Sequence, residues 1–363
     1  MFNNHQPITY FHPLQILALC LINLGLTVIL TRYFRNFAIK TGLTDDPKSA
    51  PHRKNQKIPI PLLGGNGFVI ASIILTAVVW TLDRIFFKTD LNLGISSTNM
   101  VFIAVAALIL LIGGYFDDKY HLSPKWMVIP ILSSLLLAVF GGNLKIEVLS
   151  YPFDSFLPNL GWLHSLLAFL WVGFCLTATK FLDGLDGLVT TVGIVGLLSI
   201  GSVSLFPNVN QPLIFAISMI WIAGLLGFLP FNFPDAKLYL GEGGSEIVGF
   251  VIGVLSILSG AKVATAGTVI GWFILDIILV MLARVIQHKN PFSGDRLHWH
   301  HRLIDLGLTK IQALSLTALI IVITSQIGLL FSTEYKVYVF VVQILMLLSI
   351  FGLTIFLYQK KKT

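Results

Sequence analysis

Residues 99–118 read NMVFIAVAALILLIGGYFDD: eighteen residues without a charge, then two aspartates side by side. The apolar run is long enough, at 1.5 Å per residue, to cross most of a bilayer's hydrocarbon core. Asp117 and Asp118 end it at a membrane border. Adjacent carboxylates there raise each other's pKa and resist leaving water, so a divalent metal or a basic partner is expected close by. The plainer reading is an interfacial acidic pair that stops a helix.

The same pattern repeats along the chain. Of 363 residues, 55% are hydrophobic and only 11% charged, against about 25% charged in soluble domains. Breaking the apolar stretches at charged or Pro/Gly-rich points gives about eleven spans, near 13–33, 63–82, 99–116, 126–141, 161–178, 187–206, 212–229, 246–259, 263–283, 311–331 and 336–358. The expectation is an all-α polytopic protein forming one integral membrane domain over 1–363. The first run follows a stretch lacking Lys and Arg, unlike a secretory leader, and is read as a retained span. Cys20 and Cys175 both lie inside apolar runs and read as small buried side chains.

The net charge of +7 reflects topology, and no nucleic-acid partner is expected. Assigning alternate connections to opposite sides puts 19 of the 24 Lys and Arg residues on one face; only Arg84, Lys88, Lys145, Lys262 and Lys336 fall on the other. Positive loops stay inside, which predicts a cytoplasmic C-terminus and an outside N-terminus in a bacterial-type plasma membrane. Asp117, Asp118, Asp183, Asp186, Glu242 and the His298–His301 group all fall on the cytoplasmic side by this count, as one cytoplasm-facing site requires.

Three further segments carry chemistry. Lys180-Phe181-Leu182-Asp183-Gly184-Leu185-Asp186-Gly187 sets two carboxylates three apart, on one face if the stretch is helical. Asn232 and Lys237 stand in the loop that leads to Gly241-Glu242-Gly243-Gly244-Ser245. There Gly243, Gly244 and Ser245 could offer backbone N–H groups to an anion at a helix start, and Glu242 adds a hard oxygen of the kind Mg²⁺ takes. Arg296-Leu297-His298-Trp299-His300-His301-Arg302 suits a diphosphate better than zinc, because arginine repels a bare cation and grips phosphate through two parallel donors.

Read in order, these motifs resemble the polyprenyl-phosphate N-acetylhexosamine-1-phosphate transferase superfamily. The likeness runs from about Pro51 to Arg302. It adds the basic loop Arg53-Lys54 before Pro61-Leu62-Leu63-Gly64-Gly65, and the segment from Pro234, Ala236 and Lys237 to Gly241. The resemblance implies an eleven-span fold with a cytoplasmic cleft, and a Mg²⁺-dependent reaction, with Mn²⁺ the alternative metal. In it a polyprenyl phosphate attacks the sugar-linked phosphorus of a UDP-amino sugar, releasing UMP. N-acetylglucosamine 1-phosphate is the first choice of group transferred and a peptide-bearing muramic acid the second; cell-envelope polysaccharide synthesis is the setting.

By the same resemblance, Asp117, Asp118, Asp183 and Asp186 are the catalytic carboxylates, with Asp117, Asp118, Asp186 and Glu242 at the metal. Arg53, Lys54, Lys125, Lys180, Asn232, Lys237, Arg296, His298, His300, His301 and Arg302 are the substrate and phosphate contacts. A homodimer is a further expectation. Three departures stand out: Thr177 and Lys180 replace the family's Asn-x-x-Asn, Glu242 stands where the family has a metal-binding aspartate, and Gln56 replaces a histidine. An ion-coupled transporter is the competing class, since border carboxylates also mark ion pathways.

Overall fold

A computed structural model describes residues 11–47, 58–87, 96–146, 161–207, 209–259, 263–288, 298–330 and 336–362. The described chain is almost entirely helical. The helices are α1 (Pro13–Thr41), α2 (Gly64–Leu82), α3 (Ser97–Tyr120), α4 (Pro124–Leu136), α5 (Gly161–Leu182), α6 (Leu188–Ser204), α7 (Pro212–Asn232), α8 (Glu242–Leu258), α9 (Val263–Ile286), α10 (Trp299–Asp305), α11 (Lys310–Leu330) and α12 (Lys336–Lys362). Each of the eleven expected spans coincides with one of them; the short α10 is the addition. Wider π-type turns prolong α2 to Phe87 and α4 to Gly141. Among the described residues six helices are long and apolar enough to cross a bilayer, namely α1, α2 with its extension, α3, α4 with its extension, α5 and α7. The chain is a multi-pass membrane protein.

One departure from an all-α chain is a two-residue antiparallel ribbon, β1 (Thr44–Asp45) against β2 (Ile60–Pro61). It ties the end of α1 to the start of α2, and Leu62 N–H extends it by donating to Leu43 C=O at 3.0 Å.

The bundle is organised around α8, which packs on α2, α3, α5 and α6. Every residue of α8 except Glu242 and Ile257 is buried. Small residues make this possible. A side chain at Gly114 would strike the backbone at Gly243, and one at Gly65 the backbone at Gly244, so α3 and α2 meet the first turn of α8 at backbone distance. In membranes, where lipid is as apolar as leucine, such close packing rather than water exclusion joins helices.

Candidate active site

Two chain segments converge at the start of α8, and a third packs on the second of them. The last turn of α3 brings Asp117 and Asp118. Asp117 Oδ1 accepts from Leu122 N–H at 2.8 Å, closing the reversal into α4. Asp118 Oδ1 accepts from Glu242 N–H at 3.2 Å, which places a carboxylate at the positive end of α8. Gly241 allows this approach. Its φ is +79°, and a Cβ there would lie 2.6 Å from Asp118 Oδ2. Gly243 and Gly244 are buried against α3 and α2, and Ser245 N–H donates to Gly241 C=O at 3.1 Å. The expected backbone anion site is therefore corrected: these residues serve helix contact, and the carboxylate at this helix start is the protein's own Asp118.

The second segment is the turn after α5. Residues 183–187 are not helical, so Asp183 and Asp186 do not share a helix face. They diverge instead. Asp183 reaches solvent, yet the loss of bulk water around it, with Glu242 and Asp186 close by, pushes its carboxyl up to about 8. Asp186 Oδ2 accepts from Lys310 Nζ at 2.8 Å and from Ala236 N–H at 3.3 Å. Lys310, on α11, also meets Asp235 at 3.0 Å and was not singled out from sequence. Burial also raises the Tyr239 phenol, with Asp186, Asp45 and Asp183 adding to it.

Lys180 sits one turn before Asp183. Its ammonium lies 2.8 Å from Glu242 Oε2 and 2.7 Å from Glu246 Oε1. Glu246, wholly buried, escaped the sequence reading because a glutamate at residue 246 looked like the edge of a span; a lysine 66 residues earlier gives no linear signal.

Asn232 spends its side chain inside the protein. Its Oδ1 accepts from Gly187 N–H at 3.1 Å and Thr190 Oγ at 3.0 Å, and its Nδ2 donates to Leu238 C=O at 3.2 Å. It thus clamps the Asp183–Gly187 turn to the α7–α8 loop. Lys237 lines a cleft of about 360 Å³ together with Arg32, Arg35, Asn36 and Phe231. Lys125 is exposed in the first turn of α4.

The histidine segment is the third. His298 Nδ1 lies 2.9 Å from Asp276 Oδ2, and Asp276 Oδ1 accepts from Trp299 N–H at 3.0 Å. Asp276, on α9, thereby anchors the start of α10. The His300 ring stacks parallel to His298 at 6.0 Å and lies 4.3 Å from the His301 ring. Both come down on the Asp183–Gly187 turn: a Cβ on Gly184 would sit 2.7 Å from His300 Nε2 and 3.2 Å from His301 Nε2. Arg302 is buried with its guanidinium 5.5 Å from the Phe351 ring of α12. Arg53, Lys54 and Arg296 lie outside the described residues.

The carboxylates Asp117, Asp118, Asp183, Asp186 and Glu242 act on one another electrostatically across these segments. Among the described residues no three His, Cys, Asp or Glu side chains enclose a metal by themselves. The donor set nevertheless fits Mg²⁺, which takes one or two carboxylates and completes its shell with water and substrate phosphate.

Comparison with known proteins agrees with this geometry. The profile of Glycosyl transferase family 4 matches residues 99–260, from the start of α3 to the end of α8. A Bacillus subtilis protein described as a probable undecaprenyl-phosphate N-acetylglucosaminyl 1-phosphate transferase is 31% identical, covering 82% of this chain and 79% of its own length. The Escherichia coli undecaprenyl-phosphate alpha-N-acetylglucosaminyl 1-phosphate transferase is 30% identical over 91% of this chain and 88% of its own. A Mycolicibacterium smegmatis decaprenyl-phosphate N-acetylglucosaminephosphotransferase is 27% identical over 81% and 77%. No relative of this kind supports the transporter reading. With the paired carboxylates and the turn gathered at one helix start and the histidine segment packed on that turn, the chain belongs to glycosyl transferase family 4, the polyprenyl-phosphate hexosamine-1-phosphate transferases.

Proposed function

We propose that the protein transfers N-acetylglucosamine 1-phosphate from UDP-N-acetylglucosamine to a polyprenyl phosphate. An oxygen of the lipid phosphate forms a bond to the phosphorus that carries the sugar, the bond from that phosphorus to the bridging oxygen breaks, and UMP leaves with the electron pair. The product is a polyprenyl-diphosphate-sugar. The observation that carries this reading is the convergence of Asp117, Asp118, Asp183 and Glu242 at the start of α8, beside His300 and His301.

Phosphoryl transfer asks mainly for positioning and charge neutralisation. Asp117, Asp118, Asp186 and Glu242 would hold a Mg²⁺, which supplies charge neutralisation for the substrate phosphates. Asp118 already orients the Glu242 backbone, so the first turn of α8 is fixed before substrate arrives. His300 and His301 face the Asp183–Gly187 turn and offer ring N–H donors to a diphosphate there. The lipid phosphate is mostly ionised near pH 7, so Asp117 and Asp118 position it more than they deprotonate it. Eleven spans, an outside N-terminus and a cytoplasmic site complete the reading, supported by 19 of 24 Lys and Arg on one side. The peptide-bearing muramic acid substrate is set aside because the relatives named above act on N-acetylglucosamine.

The test is UMP release from UDP-N-acetylglucosamine and undecaprenyl phosphate by the purified protein, with Mg²⁺ or with chelator. Release that needs both lipid and metal, and that Asp117→Ala and Glu242→Ala each lower by at least 100-fold, is the expected result. Turnover unchanged by chelator would remove the metal role; no turnover with any UDP-amino sugar would remove the activity.

A further inference from the structure

Two of the positions at which this chain departs from its family's pattern meet in space. Lys180 and Glu242 form an ion pair at 2.8 Å, and the same ammonium reaches Glu246 at 2.7 Å. Glu242 and Glu246 are four residues apart on α8 and so share one helix face, across which α5 lays the lysine. The two carboxylates differ in surroundings. The Glu242 side chain is 40% exposed and that of Glu246 is 0% exposed. A charge buried that deeply needs its partner, and removing one member of such a pair costs far more than breaking an exposed one. The bond to Glu246 is therefore the obligatory one, and the bond to Glu242 is the one open to competition.

We propose that Lys180 is a positioning residue, moored by Glu246, that acts as a resident cation on Glu242, and that its division between the two glutamates sets how firmly Glu242 is available to a divalent cation. This rests on the reading of Glu242 as a metal-holding residue. Glu246 touches neither metal nor substrate in this scheme; it acts only by occupying the lysine. The longer side chain of Glu242, compared with aspartate, then has a use, since it reaches both the lysine and the cleft.

The test uses the full-length protein in detergent micelles with Mn²⁺ as probe, following the loss of the free-ion electron paramagnetic resonance signal, and the thermal midpoint of each variant without metal. Lys180→Gln should tighten Mn²⁺ binding about tenfold, by releasing Glu242 and removing a cation. It should also lower the thermal midpoint, by leaving Glu246 buried alone. Glu246→Gln should weaken Mn²⁺ binding about fivefold, because the whole ammonium then falls to Glu242.

The double variant Lys180→Gln/Glu246→Gln decides the matter. It should regain the thermal midpoint and bind Mn²⁺ as Lys180→Gln does. If the Glu246→Gln effect persists undiminished without the lysine, Glu246 acts through space and the proposal fails. Equal affinity in wild type, Lys180→Gln and Glu246→Gln, with binding abolished by Asp117→Ala, would overturn the proposal and leave the metal reading standing. Absence of saturable Mn²⁺ binding in the wild type would remove both.

Discussion

Helices α1 and α8 are both apolar, and they sit in the protein in opposite ways. On α1 the buried residues are Asn23, Thr27, Thr31 and Ala38, while Leu14, Leu17, Leu21, Ile22 and Ile29 are exposed. On α8 nearly everything is buried, glycines and Glu246 included. Apolar residues on α1 thus mark the face turned to lipid, and its three polar residues, four apart, mark the face turned to protein. Asn23 Nδ2 donates to Ser72 Oγ at 3.1 Å and to Ile220 C=O at 2.7 Å, joining α1 to α2 and α7. The general lesson is that in a bilayer small and polar residues, not leucines, show where a helix is held.

The contrast breaks most severely at Gly249. A Cβ there would run into the Cys175 carbonyl and the Thr179 hydroxyl, both fixed on α5. Gly249→Leu should cost roughly 3 kcal/mol or more and abolish the folded, monodisperse protein on size-exclusion chromatography. Asn23→Ala removes the polar joint of α1 and should cost about 1 kcal/mol, read as a lower thermal midpoint in micelles with the site residues untouched.

A different kind of effect comes from the turn that faces the start of α8. The Asp183 carboxyl, ordinarily near 3.8, is raised to about 8 in the folded chain, so the folded state keeps a proton that the unfolded state releases. Stability should therefore fall as pH rises from about 4 through about 8, and Asp183→Asn should flatten that slope in thermal midpoints measured across the window without divalent metal. A steeper slope in the variant would contradict the assignment. Least of all should happen at Leu21, on the lipid face of α1: Leu21→Ala should shift stability by no more than about 0.5 kcal/mol, in contrast to the same change in a soluble core.

Much of the architecture was legible because span length is a property of the sequence alone. All eleven apolar runs coincide with helices, and the breaks at Asp117–Asp118, Asp183–Gly187 and Pro234–Gly241 fall where chain segments meet. Other features were hidden for physical reasons. A buried glutamate and its lysine, 66 residues apart, leave no periodicity. Nothing linear shows that Asp276, an acid within an apolar run, holds both His298 and the Trp299 N–H. Gly243 and Gly244 suggested an anion cradle because exposed glycines in turns make one; only the approach of α2 and α3 shows that both are covered. The internal role of Asn232 was hidden too, because its three partners come from two other segments of the chain.

The lysine shared by α5 and α8 also bears on biogenesis. Lys180 leaves the ribosome 66 residues ahead of Glu246. At about 5–20 residues per second, α5 waits roughly 3 to 13 s in the membrane before its buried partner exists. During that interval Lys180, two residues from the end of α5, keeps its ammonium wet by extending along the helix toward the interface. When α8 arrives, it brings a glutamate into a place where a cation already stands, so the order of synthesis spares the membrane an unpaired carboxylate.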